Sequence, residues 1–164
     1  MTDLRSPEPR VPHLRTVVVA TDFSPTSELA VDYGCDLAAT FDGTVHLLHV
    51  VENPRLGPGS AEIWGFSLPA LVERLERSAE TRLASMVSDR ASAAPIVPVA
   101  RVGEPFVEIV RYAREQQADL LVLGTHGRGP IAHMFLGSVA EKVVRTAPCP
   151  VLTVRPPDHT FTMI

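Results

Sequence analysis

Near the carboxyl end of the chain, Leu120-Leu121-Val122-Leu123 sets four apolar residues in a row between Asp119 and Gly124. A short continuous apolar run of this kind suits a strand buried on both faces, as in a parallel sheet. Glycines follow at 124, 127, 129 and 137, the last directly before Ser138. From Ser138 the pattern turns helical, with Val139, Val143 and Val144 expected on one face and Glu141, Lys142 and Arg145 off it. Ser138-Val139-Ala140-Glu141 fits the Ser-x-x-Glu capping box, which predicts a helix start here. The segment therefore reads as strand, glycine-rich loop and helix amino-terminus. Glycines let backbone N–H groups approach a ligand closely, and a helix start carries roughly half a positive charge. That combination suits a phosphate group.

The rest of the chain repeats the alternation. Residues 1–13, rich in proline and charge, are expected to be a disordered arm ahead of a single domain over 14–156, with a loose tail at 157–164. Thr16 to Thr21 is the first predicted strand, and Ser24-Pro25 starts a helix with serine as cap and proline at the first helical position. That helix carries Leu29, Ala30, Tyr33, Leu37 and Ala38 at helical spacing and stops near Asp42-Gly43. Thr44 to Val51 is the second strand. The stretch from Glu52 to Phe66 is longer than most connections in a compact domain, and Trp64 within it is expected to close over a ligand. Ser67 to about Ala91 is a long amphipathic helix with Leu68, Leu71, Leu75, Leu83 and Val87 as its buried stripe. Ile96 to Val102 is the third strand. Gly103-Glu104-Pro105 opens a further helix with Phe106, Val107, Ile109, Val110 and Ala113 inward, and Val151 to Arg155 is the fifth strand. Strands alternating with helices predict an α/β fold with a parallel sheet and right-handed crossovers.

Composition narrows the classes. A chain of 164 residues with 45% hydrophobic content is globular and long enough for one sizeable core. No apolar run approaches the ~18 residues of a membrane span, and no signal-peptide core is legible, so a soluble cytoplasmic protein is expected. A net charge of −4 disfavours a nucleic-acid surface. Cys35 and Cys149 read as separate reduced thiols rather than a disulfide framework or a zinc site.

The spacing Gly124-x-x-Gly127, nine residues, then Gly137-Ser138 is similar to the nucleotide-binding signature of the universal stress protein family. The likeness extends to Val17-Val18-Val19-Ala20-Thr21-Asp22-Phe23-Ser24, to Val45-His46-Leu47-Leu48-His49-Val50 and to Ala147-Pro148-Cys149-Pro150-Val151. It implies an open five-stranded parallel sheet of order 3-2-1-4-5, helices on both faces, and a ligand crevice between strands one and four. That is also where ligands sit in open α/β sheets, outside the carboxyl ends of the strands at the point where strand order reverses. The resemblance carries ATP contacts onto Ala20, Thr21, Asp22 and Val50, and onto Gly124, His126, Gly127, Arg128, Gly137, Ser138 and Val139. It also implies a homodimer through the last strand, Val151 to Val154, and nucleotide-dependent contacts with an unnamed protein partner. The function expected is ATP-dependent signalling in stress survival. A slow ATPase or phosphotransferase on the same fold, a nucleotide-free dimeric module and a flavin-binding domain are the alternatives.

Residue chemistry leaves some roles open. Asp22 either forms a local Asx-turn or meets a ribose hydroxyl or a metal-bound phosphate. Ser138 either caps the helix or contacts phosphate, and His126 is either a phosphate contact or a solvated loop side chain. Arg128 is the one certain cation in the loop, whereas a triphosphate brings about four negative charges, so Mg²⁺ or Mn²⁺ is expected with the nucleotide, held mainly by phosphate oxygens and water. His46 and His49 lie three apart on a strand and face opposite sides, which argues against a metal pair. Gly127-Arg128-Gly129-Pro130-Ile131-Ala132 matches the letters of a dinucleotide fingerprint, but it follows the fourth strand and lacks the acidic partner about twenty residues on. A Walker A loop and a G-x-S-x-G nucleophile elbow are both absent.

Overall fold

Runs of β-branched residues form the sheet and small or aliphatic residues on the helices cover it. The computed structural model describes residues 13–53, 67–125 and 137–155. In chain order these form β1 (Thr16–Ala20), α1 (Pro25–Thr40), β2 (Thr44–Val51), α2 (Leu68–Ser88), β3 (Ile96–Val102), α3 (Pro105–Glu115), β4 (Leu120–Gly124), α4 (Ser138–Thr146) and β5 (Val151–Val154). The five strands make one sheet in the order β3-β2-β1-β4-β5. All pairings are parallel, with Val17 opposite both Val45 and Leu120 across β1.

Alternation along the strands builds two cores. Val17, Val19, Val45, Leu47 and Val122 point to one face, where they pack on Ala30, Val31 and Ala38 of α1 and on Leu83 and Met86 of α2. Val18, Leu48, Leu121 and Leu123 point to the other, onto Ile109, Tyr112 and Ala113 of α3 and Ala140 and Val143 of α4. Burying each such Val or Leu side chain stabilises by about 1.5–3 kcal/mol, which is why the continuous apolar runs choose a sheet covered on both faces. Connectivity reverses direction at β1, whose neighbours are β2 on one side and β4 on the other. That reversal leaves a crevice at the carboxyl ends of β1 and β4.

Several helical faces differ from the sequence expectation. Tyr33 of α1 is exposed, and Val31, Gly34 and Cys35 are buried in its place. On α2, Leu68 and Leu75 are exposed and Ala79, Leu83 and Met86 face inward. Val107 of α3 and Val144 of α4 are exposed, while Glu108 is buried. On α1, α3 and α4 helical spacing is satisfied by more than one stripe, and the position of the sheet selects among them. On α2 the expected stripe shares its face with Ala79 and Met86. Leu83 is buried as expected, while Leu68 and Leu75 towards the amino-terminal end of that face stay exposed. The end of α1 shows a comparable substitution of roles. Asp42, not the following glycine, takes the left-handed conformation at φ 52°. Gly43 is needed because a Cβ there would lie 2.0 Å from the Leu14 carbonyl oxygen.

Both cysteines are free, Cys35 buried and Cys149 half-buried, and burial pushes both thiols up. No described helix is long and apolar enough to cross a membrane.

Candidate functional site

The carboxyl ends of β1, β2 and β4 open into a cleft of about 690 Å³, flanked by α2 on one side and by the starts of α3 and α4 on the other. Its lining contains Ala20, Thr21, Asp22 and Val50 together with Gly124, Gly137, Ser138 and Val139, so these candidate residues meet in one place. His126, Gly127, Arg128 and Trp64 lie outside the described residues.

The turn between β1 and α1 is pinned by its own side chains. The Phe23 amide donates to Thr21 Oγ1 at 3.0 Å, and the Ser24 amide donates to Asp22 Oδ1 at 3.1 Å. The second bond is the Asx-turn expected of an aspartate at a strand end. The Ser24 hydroxyl donates to the same Asp22 oxygen at 2.6 Å and accepts from the Ser27 amide at 3.3 Å, capping α1. Partial burial pushes the Asp22 carboxyl up, but the bonds from the Ser24 hydroxyl and amide, helped by Ser27, outweigh it and hold the group below its ordinary value. Asp22 therefore stands in the cleft as a carboxylate. The same bonds keep Phe23 at φ 63°, a conformation rare for a bulky side chain.

The opposite wall is made of backbone. The Thr125 amide donates to the Val154 carbonyl at 2.8 Å, and the Thr125 carbonyl accepts from the Gly137 amide at 2.7 Å. Gly124 lets this wall approach α1 closely, since a Cβ there would sit 3.0 Å from Thr26 Cγ2 and 3.3 Å from the Thr26 carbonyl carbon. The expected Ser138 capping box does not form. Gly137 is the N-cap, Ser138 is the first helical residue and is exposed, and Glu141 pairs instead with Arg145 at 2.9 Å. A serine inside the first turn cannot reach back as a cap, and Glu141 then finds its partner one turn onward. With no side-chain cap among the described residues, the first-turn amides of Ser138, Val139 and Ala140 border the cleft without an intrahelical acceptor.

Three further side chains complete the lining. His49 Nδ1 lies 2.7 Å from the Thr21 carbonyl oxygen; a carbonyl only accepts, so the proton sits on Nδ1. The His49 ring packs on Phe23 with centroids 4.3 Å apart, and the Arg82 guanidinium lies over the Phe23 ring at 3.9 Å. Sequence reasoning discarded His49 together with His46 because only a metal pair was considered. The strand does separate them: His46 bonds Tyr112 on the α3 side, where burial lowers its pKa. Arg82 was legible only as one of a set, since Leu75, Ser78, Ala79 and Arg82 follow i, i+3, i+4, i+7 spacing and all line the cleft. Among the described lining residues Arg82 is the one cation besides histidine, against two carboxylates, Asp22 and Glu52. The described residues hold no cluster of three potential metal-binding His, Cys, Asp or Glu side chains.

Comparison with known proteins follows the same outline. The model of the universal stress protein family matches residues 13–155. A universal stress protein of Methanocaldococcus jannaschii is 32% identical over 144 residues, which span 87% of this chain and 83% of that relative. A universal stress protein solved in complex with cAMP is 32% identical, with a TM-score of 0.57 over 87% of this chain and 98% of its own. The fold is shared as well with a universal stress protein of Lactobacillus plantarum at 21% identity, with a TM-score of 0.71 over 87% of this chain and 99% of that one. The sheet order, the matched span and the identity to its relatives agree: this chain belongs to the universal stress protein family.

Proposed function

We propose that this protein binds ATP, accompanied by Mg²⁺ or Mn²⁺, in the cleft at the carboxyl ends of β1 and β4, and acts through nucleotide-dependent contacts with a protein partner in the cytoplasm. The observation that carries the reading is the meeting of Asp22, Gly124, Gly137 and Ser138 around one cleft that Val50, Leu75 and Ala79 also line. The cAMP complex of a 32% identical relative supports an adenine nucleotide there. In this reading the uncapped start of α4 receives phosphate. Val50 from the α3–α4 side and Ala79 from the α2 side give the cleft apolar lining for a base. The Asp22 carboxylate lines it where a ribose hydroxyl or the metal's water shell would lie. The charge of the described lining fits a metal companion, because among those residues one arginine against two carboxylates does not neutralise a polyphosphate. A divalent ion would supply that neutralisation, held by phosphate oxygens and water. The chain is read as a binding protein with at most slow hydrolysis, since no motif in the sequence identifies a general base aimed at a γ-phosphate.

Mass spectrometry of what co-purifies with the protein identifies the ligand, and calorimetry tests the site. Gly137 has φ −64°, which any residue adopts, so Gly137→Val adds bulk without backbone strain. Gly137→Val and Gly127→Val should stay folded and lose Mg-ATP affinity at least about tenfold, or 1.4 kcal/mol. Parent-like binding by both variants makes the glycines structural and sinks the phosphate assignment. The cAMP-bound relative makes a cyclic mononucleotide the second reading, which competition between ATP and cAMP in the same titration decides.

The proposed assembly is a homodimer through β5, which pairs on one side with β4 and carries Val151-Leu152-Thr153-Val154 without a charge. Such an edge pairs unless covered. Light scattering should give a dimer at micromolar concentration, disrupted by Leu152→Pro; a monomeric parent ends this proposal.

A further inference from the structure

Arg82, Phe23 and His49 meet where the α1–α2 core, on which Phe23 packs, reaches the cleft. Phe23 holds a left-handed backbone at φ 63°, which is unfavourable for a bulky residue. The turn is over-determined by the Thr21 and Asp22 side-chain bonds, which is how such strain persists, and strain of this kind gathers at functional sites. The result is an aromatic ring fixed at the cleft, with His49 packed on it and the Arg82 guanidinium over its face at 3.9 Å. On the same helix Arg77 pairs with Glu73, and just beyond its end Arg90 pairs with Asp32, whereas Arg82 has the ring and no carboxylate among the described residues.

Position decides what the stack does. The uncapped start of α4 lies at the β4 end of the cleft, whereas Arg82 comes from α2, which packs on β2 and β3. The stack therefore stands on the α2 side of the cleft with Ala79, across the sheet from the start of α4. We infer that the planar guanidinium of Arg82, backed by Phe23, is the surface on which the base of the bound nucleotide stacks, making Arg82 a base-positioning residue. The guanidinium carbon lies over the Phe23 ring, and the exposed Arg82 side chain lines the cleft. Guanidinium planes stack on aromatic faces in a way an ammonium cannot match, so the role needs arginine rather than a positive charge. This inference rests on the nucleotide reading above.

Calorimetry with adenosine, AMP and Mg-ATP on the full chain tests it. Arg82→Lys keeps the charge and loses the plane. It should weaken all three ligands alike, by about tenfold. Phe23→Gly tolerates the left-handed turn without strain, removes the backing ring and should produce a loss of the same kind. Parent-like adenosine binding by Arg82→Lys overturns the inference. So does a loss that grows from adenosine to Mg-ATP, which would make Arg82 a phosphate contact. If the parent binds none of the three ligands, the nucleotide reading itself fails and this inference falls with it; a binding parent with an unaffected Arg82→Lys sinks the base stack alone.

Discussion

Of the helices that begin at the cleft, α1 after Ser24 and α4 after Gly137 have first turns that are held differently. In α1 the Ser24 hydroxyl accepts the Ser27 amide, and Asp22 holds Ser24 in place through its amide and hydroxyl. In α4 the cap is a glycine with no side chain to offer, and its own amide is taken by the Thr125 carbonyl. The first helix spends its amino-terminus on itself, and the second leaves its first-turn amides facing the cleft. A single cleft thus has one wall made rigid by side chains and one that presents backbone donors. The difference explains why a phosphate is assigned to α4 rather than to α1, although both helix dipoles point the same way.

The comparison can be broken most strongly where the two walls touch. Gly124 meets Thr26 so closely that a valine must move either β4 or the first turn of α1. Gly124→Val should lose about 1–3 kcal/mol of stability in urea unfolding. A parent-like midpoint would show that the walls move independently. The next contrast sharpens the difference in capping. Ser24→Ala removes a cap and a donor to Asp22 and should cost about 0.5–2 kcal/mol. Ser138→Ala, at an exposed first-turn position, should stay within about 0.5 kcal/mol of the parent in the same assay. Equal losses at the two serines would mean that Ser138 caps α4 after all.

Each place where expectation and structure differ has a local cause. Ser138-Val139-Ala140-Glu141 satisfies the letters of a capping box, but the helix begins one residue earlier in register than the motif needs. On α2 Leu68, Leu71 and Leu75 share one face with Ala79, Leu83 and Met86, and periodicity has no means of telling which part of that face the sheet covers. His49 looked like half of a rejected metal pair, because its partner, the Thr21 carbonyl, lies 28 residues away and leaves no mark in the local pattern.

Local sequence was enough to set the order and kind of the elements. Apolar runs such as Leu120–Leu123 have one stable home, a strand covered on both faces, and Ser24-Pro25 has one reading, a capped helix start. These are short-range choices, made by residues adjacent in the chain. Only the tertiary structure decided which helical stripe turns inward, and that Gly124 is a glycine because α1 passes beside it. It also brought Arg82, Phe23 and His49 from three elements into one stack. Those outcomes depend on how the sheet stacks distant segments, and packing between segments is settled by volume and distance, which a one-dimensional pattern does not carry.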